Sequence, residues 1–144
     1  MAVKTVKAEF TLNEKFKLEG DVHGHKMVVD QPANAGGTDA GPTPLDYLFA
    51  AHAGCLGTVA RIIAMQKKLP VRGIRISVEG DINTDGLLGK PTDDPIGFKE
   101  IRVTADVDGD LTKEEKETLL HDADRRCPVS FNLQNSTPVK ITVA

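Results

Sequence analysis

The stretch that decides the fold is PLDYLFAAHAGCLGTVARIIAMQKKLP, residues 44–70. Its apolar side chains recur every three or four residues, which places them on one face of an α-helix. Pro44 suits the first turn of that helix, and Pro70 ends the pattern. Gly54, Gly57 and several alanines would let another element approach closely. We predict a long, central and largely buried helix.

Apolar residues that alternate with polar ones predict strands before this helix. The alternation appears in residues 6–12, 16–22 and 27–29, with the first turn expected at residues 13–14. Residues 31–44 are rich in proline and glycine, and they predict a loop that leads into the helix.

The alternation returns after the helix, in residues 74–78 and 101–107, and we expect these two strands to pair as neighbours. A capping-box pattern that begins at Thr112 predicts a second helix, which Cys127-Pro128 should end. Residues 139–143 alternate again and predict a closing strand. The order is therefore β-β-β-α-β-β-α-β, an α+β fold with mainly antiparallel sheets around a long central helix.

Length and composition predict one globular domain over residues 1–144, with 40% hydrophobic and 27% charged residues. The net charge is −3 and no basic run is present, so we expect neither a nucleic-acid partner nor membrane association. The longest apolar stretch is broken by charged residues, and no apolar signal segment precedes Lys4. We expect a cytoplasmic protein, in which two cysteines serve packing or chemistry rather than a secreted disulfide scaffold.

Cys55 lies within the predicted central helix, on its apolar face and between Gly54 and Gly57. It could be a small buried hydrophobic residue, or it could be a reactive thiol, which needs free space around the sulfur. His52 shares this face because it lies three residues earlier. The histidine could be a packed core residue or a group that assists the thiol.

Cys127 opens the segment Cys127-Pro128-Val129-Ser130 at the end of the second predicted helix, where the helix dipole raises the pKa of a thiol. This placement favours a second thiol, which converts an oxidised first thiol into a disulfide. Zinc bound by the cysteines with His23 and His25 is the competing use, but CxxC and HxxxH spacings are missing. Nucleotide-binding motifs are also missing, and we expect neither metal nor cofactor.

The segment GGTDAGPTPLDYLFAAHAGC at residues 36–55, followed by CPVS at residues 127–130, resembles the OsmC/Ohr family of osmotically inducible and organic-hydroperoxide-resistance proteins. The resemblance implies an intertwined homodimer with active sites at the subunit interface. It also implies a cysteine-based peroxidase that reduces organic hydroperoxides in oxidative stress defence and is reset by a dithiol reductant. Cys55 then corresponds to the peroxidatic cysteine and Cys127 to the resolving one, with a disulfide between them.

Two features of the family's peroxidases are missing. Leu45 stands where they carry a glutamate, and the neighbouring Asp46 lies about 180° around the helix from Cys55, within reach only of a thiol on an antiparallel partner helix. The resemblance also implies an arginine upstream that stabilises the thiolate, but no arginine precedes Arg61. Lys26, His23 or His25 could substitute for it, and His52 is the nearest candidate in sequence for assisting the thiol. The alternative is a non-catalytic OsmC-like protein that binds a small molecule.

Overall fold

The computed structural model describes residues 2–144. The chain divides into two compact units, the first ending at Leu48 and the second beginning at Phe49. The α+β class with antiparallel sheets is confirmed. The elements in chain order are β1 (Glu9–Glu14), β2 (Lys17–Val22), β3 (His25–Val29), a 3₁₀ turn (Ala33–Ala35), α1 (Pro44–Gln66), β4 (Val71–Glu79), β5 (Arg102–Gly109), α2 (Lys113–Arg126) and α3 (Pro128–Gln134).

In the first unit, β1, β2 and β3 form an antiparallel sheet in that order. The turn between β1 and β2 was predicted at residues 13–14, but it lies at Lys15 and Phe16, because Glu14 pairs with Lys17. A register shift between Leu12 and Glu14 absorbs the extra residue. Lys15 takes the left-handed conformation that the tight turn requires, with a φ of 44°.

The loop after β3 folds around the buried carboxylate of Asp30. The carboxylate accepts hydrogen bonds from the backbone amides of Gln31 (2.8 Å), Thr38 (3.2 Å) and Ala40 (3.1 Å), and from the Thr38 hydroxyl (2.5 Å). The Thr38 hydroxyl is the main cause that lowers the pKa of Asp30 to about 2, and burial acts in the opposite direction. A loop was predicted here, and Asp30 is the residue that orders it.

This carboxylate gives a first testable prediction. Its pKa in the folded protein, about 2, lies below its ordinary value, so Asp30 stabilises the fold above about pH 4, and this stabilisation is lost as the pH falls towards 2. We expect Asp30→Asn to lower the melting temperature by several degrees at neutral pH, but by much less at pH 2. Asp39→Asn, at an exposed position of the same loop, is the matched control and should change little. An equal destabilisation by Asp30→Asn at both pH values would contradict this role.

The hydrophobic core lies in the second unit, where α1 provides most of it. Leu56, Val59, Ala60, Ile63 and Ala64 of α1 are buried and pack with residues of β4, β5 and α2. The predicted helix is therefore confirmed as a long core helix, but it is not largely buried in the single chain, because only six of its 23 residues are buried. α1 is long and apolar enough to cross a membrane. This is only weak evidence for a membrane span, because the core helix of a globular protein can have the same composition.

The pairing of β4 with β5 was predicted from their alternation and is confirmed. The two strands are antiparallel, with Ile76 opposite Ala105. Gly57 of α1 lies close to β4, because a Cβ atom at this position would be 3.3 Å from the Ile76 Cδ1 atom. Gly54, by contrast, has nothing within 4 Å of the corresponding position. Gly57 therefore allows α1 to approach β4 closely, whereas Gly54 leaves open space beside Cys55.

The capping box at the start of α2 is confirmed. The Glu115 amide donates to the Thr112 hydroxyl, and the Thr112 amide donates to the Glu115 carboxylate, both over 3.1 Å. Cys127-Pro128 ends α2, but helical structure continues, because Pro128 is the first residue of α3. The sequence prediction missed α3, since proline stops one helix and also suits the first turn of the next.

The closing strand predicted for residues 139–143 is not formed in this chain. Residues 136–144 have no regular secondary structure. Val139, Ile141 and Val143 are 80%, 90% and 98% exposed. A strand needs the edge of another strand for its hydrogen bonds, and no strand among residues 2–144 pairs with this segment. The prediction was wrong for the single chain because alternation alone does not supply a partner.

Candidate dithiol site

The fold brings together two cysteines that are far apart in sequence. Cys55 lies on α1 and is partly exposed, whereas Cys127 lies at the junction of α2 and α3 and is only 1% exposed. Both are free thiols, and Cys55 lies close enough to Cys127 to help raise the pKa of the Cys127 thiol. The structure thus forms a dithiol with one accessible and one buried sulfur.

The pKa of the Cys127 thiol is raised, chiefly by burial and next by the neighbouring Cys55 thiol. The Ser130 amide donates to the Cys127 sulfur over 3.4 Å and acts in the opposite direction. The raised pKa of Cys127 agrees with the sequence prediction, but its main cause is burial rather than the dipole at the end of a helix. Cys127 is therefore the poorer nucleophile by environment, and the more accessible Cys55 is the one that a ligand can reach.

Ser130 is a site residue that the sequence prediction missed. It is buried, its amide donates to Cys127, and its hydroxyl donates to the Asp124 carboxylate. The same hydroxyl accepts a hydrogen bond from Gln134 Nε2 at 2.7 Å. These contacts fix the position of the Cys127 sulfur at the start of α3. The signal in the sequence was the serine three residues after the cysteine.

His52 lies one turn before Cys55 on α1 and is only 6% exposed. Within residues 2–144, neither ring nitrogen has a hydrogen-bond partner, although both are buried. The ring borders a cavity of about 440 Å³ in the second unit. His52 is therefore packed in the core, but it is not a core histidine whose hydrogen bonds are satisfied.

Asp46 has a local role at the start of α1. Its carboxylate accepts hydrogen bonds from the amide and the hydroxyl of Thr43, both over 2.8 Å, and its own amide donates to that hydroxyl over 3.2 Å. This is the reciprocal geometry of a capping box, with aspartate in place of glutamate. The Thr-Pro-Leu-Asp spacing of residues 43–46 was the signal for it.

The first arginine after Cys55, Arg61, is bound by backbone carbonyl groups. Arg61 donates from Nη1 to the Val71 carbonyl at 2.7 Å and from Nη2 to the Arg72 carbonyl at 3.2 Å. Its guanidinium thus ties α1 to the backbone of β4 and does not replace the arginine of the family's peroxidases. In the part of the chain that the structure describes, no group of three or more histidine, cysteine or acidic side chains could hold a metal ion.

The fold and the site together define an α+β protein with a cysteine pair that joins a long core helix to the C-terminal helices. The family model described as OsmC-like protein matches residues 37–142, a range that includes both cysteines. The chain therefore belongs to the OsmC-like family, as the resemblance of its motifs predicted.

Several solved structures share this fold. An OsmC-like protein from Mycoplasma pneumoniae has a TM-score of 0.79 and 22% identity, over 92% of this chain and 89% of that one. The organic hydroperoxide resistance protein OsmC from Legionella pneumophila has a TM-score of 0.68 and 20% identity, over 93% and 92%. An organic hydroperoxide resistance protein from Elizabethkingia anophelis has a TM-score of 0.71 and 20% identity, over 94% and 91%. No curated protein matches the sequence.

Proposed function

We propose that this protein is a thiol peroxidase that reduces organic hydroperoxides in oxidative stress defence in the cytoplasm. The observation that carries the proposal is the proximity of a partly exposed thiol, Cys55, to a buried thiol of raised pKa, Cys127. Membership of a family that includes organic hydroperoxide resistance proteins supports it.

The chemistry proceeds in two steps. The Cys55 thiolate attacks the terminal oxygen of the hydroperoxide, the O–O bond breaks, and the alkoxide takes a proton and leaves as the alcohol. Cys55 is then a sulfenic acid. The Cys127 sulfur attacks the Cys55 sulfur, hydroxide leaves and takes the Cys127 proton to form water, and a disulfide results. A dithiol reductant restores both thiols by exchange.

The assisting groups differ from those of the family's peroxidases. His52 is the group on α1 that we propose to assist Cys55, by a hydrogen bond to the departing oxygen. Because its carboxylate caps its own helix, Asp46 enters the proposal only if a second copy of the chain brings its helix alongside. The peroxidase therefore works without an arginine at the thiolate.

We further propose that the protein is an intertwined homodimer. The exposed alternating residues Val139, Ile141 and Val143 have the pattern of a strand that lacks its partner edge. A second copy of the chain supplies such an edge, and pairing would remove these side chains from water.

The second candidate is a non-catalytic OsmC-like protein that binds a small molecule. Two observations favour it. Leu45 replaces the usual glutamate, and Arg61 is held by backbone carbonyls. It predicts that neither cysteine reacts with hydroperoxides faster than a free thiol.

Trapping the sulfenic acid tests the roles of the two cysteines. After one equivalent of cumene hydroperoxide, we expect Cys127→Ser to accumulate a dimedone adduct at Cys55, because no second thiol removes the sulfenic acid. Cys55→Ser is the matched variant, and its Cys127 should remain almost unlabelled because it is buried with a raised pKa. The reverse pattern would overturn the assignment, and no adduct in either variant would favour the binding protein.

A further inference from the structure

A cavity beside His52 is lined by residues of all three helices and of β5. His52 of α1, Val103 of β5, Asp124 of α2 and Ser130 of α3 border its volume of about 440 Å³. A smaller cavity of about 240 Å³ shares His52, Val103 and Asp124 with it. Volumes of a few hundred cubic ångströms suit small organic ligands.

His52 supplies an independent sign that the larger cavity has an occupant. Both of its ring nitrogens are buried and lack partners within residues 2–144. A buried polar group without a hydrogen bond is costly, and such groups are usually satisfied by a ligand or by water. A neutral imidazole offers one hydrogen-bond donor and one acceptor. A partner must therefore accept from its N–H group or donate to its other nitrogen.

Two charged side chains at the edge of the cavity, Lys99 and Glu100, each form an ion pair with a residue that does not border it. Lys99 Nζ lies 2.5 Å from the Asp94 carboxylate, and Arg102 Nη1 lies 2.8 Å from the Glu100 carboxylate. The positive charge of Lys99 thus already has an acidic partner, and this side chain lies at the solvent-exposed edge of the cavity.

Inside the cavity, Asp124 gives the lining a negative character. Its Oδ1 atom accepts the Ser130 hydroxyl, and it forms no ion pair with any residue that the structure describes. Ser130 is itself occupied, because it also accepts from Gln134. The hydrogen-bonding capacity left for a ligand includes His52 and the second oxygen of Asp124, together with the side-chain carbonyl oxygen of Gln134, which also borders the cavity.

Apolar side chains complete the lining. Phe98, Ile101 and Leu133 border the same cavity as His52 and Asp124. An uncharged hydroxyl can donate to either acceptor and can also accept from an imidazole N–H. A carboxylate can only accept, and beside Asp124 it would meet a like charge.

We propose that this cavity binds small uncharged organic molecules that carry a hydroxyl group on an apolar body. The hydroxyl lies against His52 and Asp124, and the apolar body lies against Phe98, Ile101 and Leu133. The inference rests on the proposed function only where it treats this ligand as a substrate, because a hydroperoxide and its product alcohol share this chemistry. The site then selects uncharged hydroperoxides over those that carry a carboxylate.

A matched pair of ligands tests the proposal in the native, reduced protein. We expect 2-phenylpropan-2-ol to cause a saturable shift of the His52 ring signals in the NMR spectrum of histidine-labelled protein. With 2-methyl-2-phenylpropanoate, which carries a carboxylate in place of the hydroxyl, binding should be at least about tenfold weaker. No saturable shift with the alcohol, or equal affinity for the two compounds, would overturn the proposal.

Three variants separate the contributions by calorimetry. His52→Phe should weaken alcohol binding about tenfold, since a buried hydrogen bond is lost. His25→Phe, at an exposed position of β3, is the control and should leave it unchanged. Asp124→Asn keeps an acceptor for Ser130 and removes the charge, so the carboxylate should bind within about threefold of the alcohol. Unchanged discrimination in Asp124→Asn would contradict the role of that charge.

These measurements involve no turnover, so they fail or succeed apart from the proposed peroxidase. Alcohol binding without any consumption of hydroperoxide would refute the proposed function and leave the binding site standing. Consumption of hydroperoxide without alcohol binding would refute the binding site and leave the proposed function standing.

Discussion

Replacing Cys55 by serine should abolish the reduction of organic hydroperoxides. A serine hydroxyl is not ionised near neutral pH and does not form the sulfenic acid that carries the oxygen, so we expect the rate with a dithiol to fall at least about 1,000-fold. The measurement is the consumption of cumene hydroperoxide by native protein and by Cys55→Ser at equal concentration.

The matched variant for this experiment is Cys127→Ser. It should consume about one equivalent of hydroperoxide per subunit, because Cys55 is intact, and then turn over slowly, because the disulfide that a dithiol reduces does not form. If Cys55→Ser retained more than about a tenth of the native rate, the attacking role of Cys55 would be wrong.

Removing the apolar residues of the C-terminal segment should dissociate the protein. Val139, Ile141 and Val143 share one parity and are almost fully exposed in the single chain. Replacing all three with threonine keeps the preference for a strand but removes apolar surface. We expect dimerisation to weaken at least about 100-fold, measured by sedimentation.

The control uses the opposite parity of the same segment. Lys140→Thr should leave association unchanged, because a strand places this side chain on the other face. The native protein should sediment at about twice the 15.5 kDa of the chain. A stable native monomer would exclude the dimer proposal altogether.

The sequence predicted those parts of the fold that local signals determine. The apolar spacing of α1, the alternation in β4 and β5, and the capping box at Thr112 each act within a few residues, and the structure confirms them. The closing strand failed because a strand depends on an edge elsewhere. The start of α3 was missed because Cys127-Pro128 matches both the end of one helix and the beginning of another.

The candidate site was predictable to a smaller extent. The two cysteine motifs identified the family, and the sequence also gave reason to single out His52. The contacts of Ser130 with Cys127 and Asp124, and those of Asp30 in its loop, join residues three to ten positions apart at a helix junction and in a loop, where no periodic pattern marks them. The cavity exists only where helices and a strand from distant parts of the chain meet. Such features depend on three-dimensional packing, which spacing along one element does not encode.

The most direct test of the peroxidase is the fate of the two sulfurs after a single oxidation. Reduced native protein is treated with one equivalent of cumene hydroperoxide per subunit, then digested without reductant and examined by mass spectrometry. We predict that both free thiols disappear and that one peptide pair, joined through Cys55 and Cys127 of the same chain, takes their place. Two free thiols beside unconsumed hydroperoxide would contradict the account.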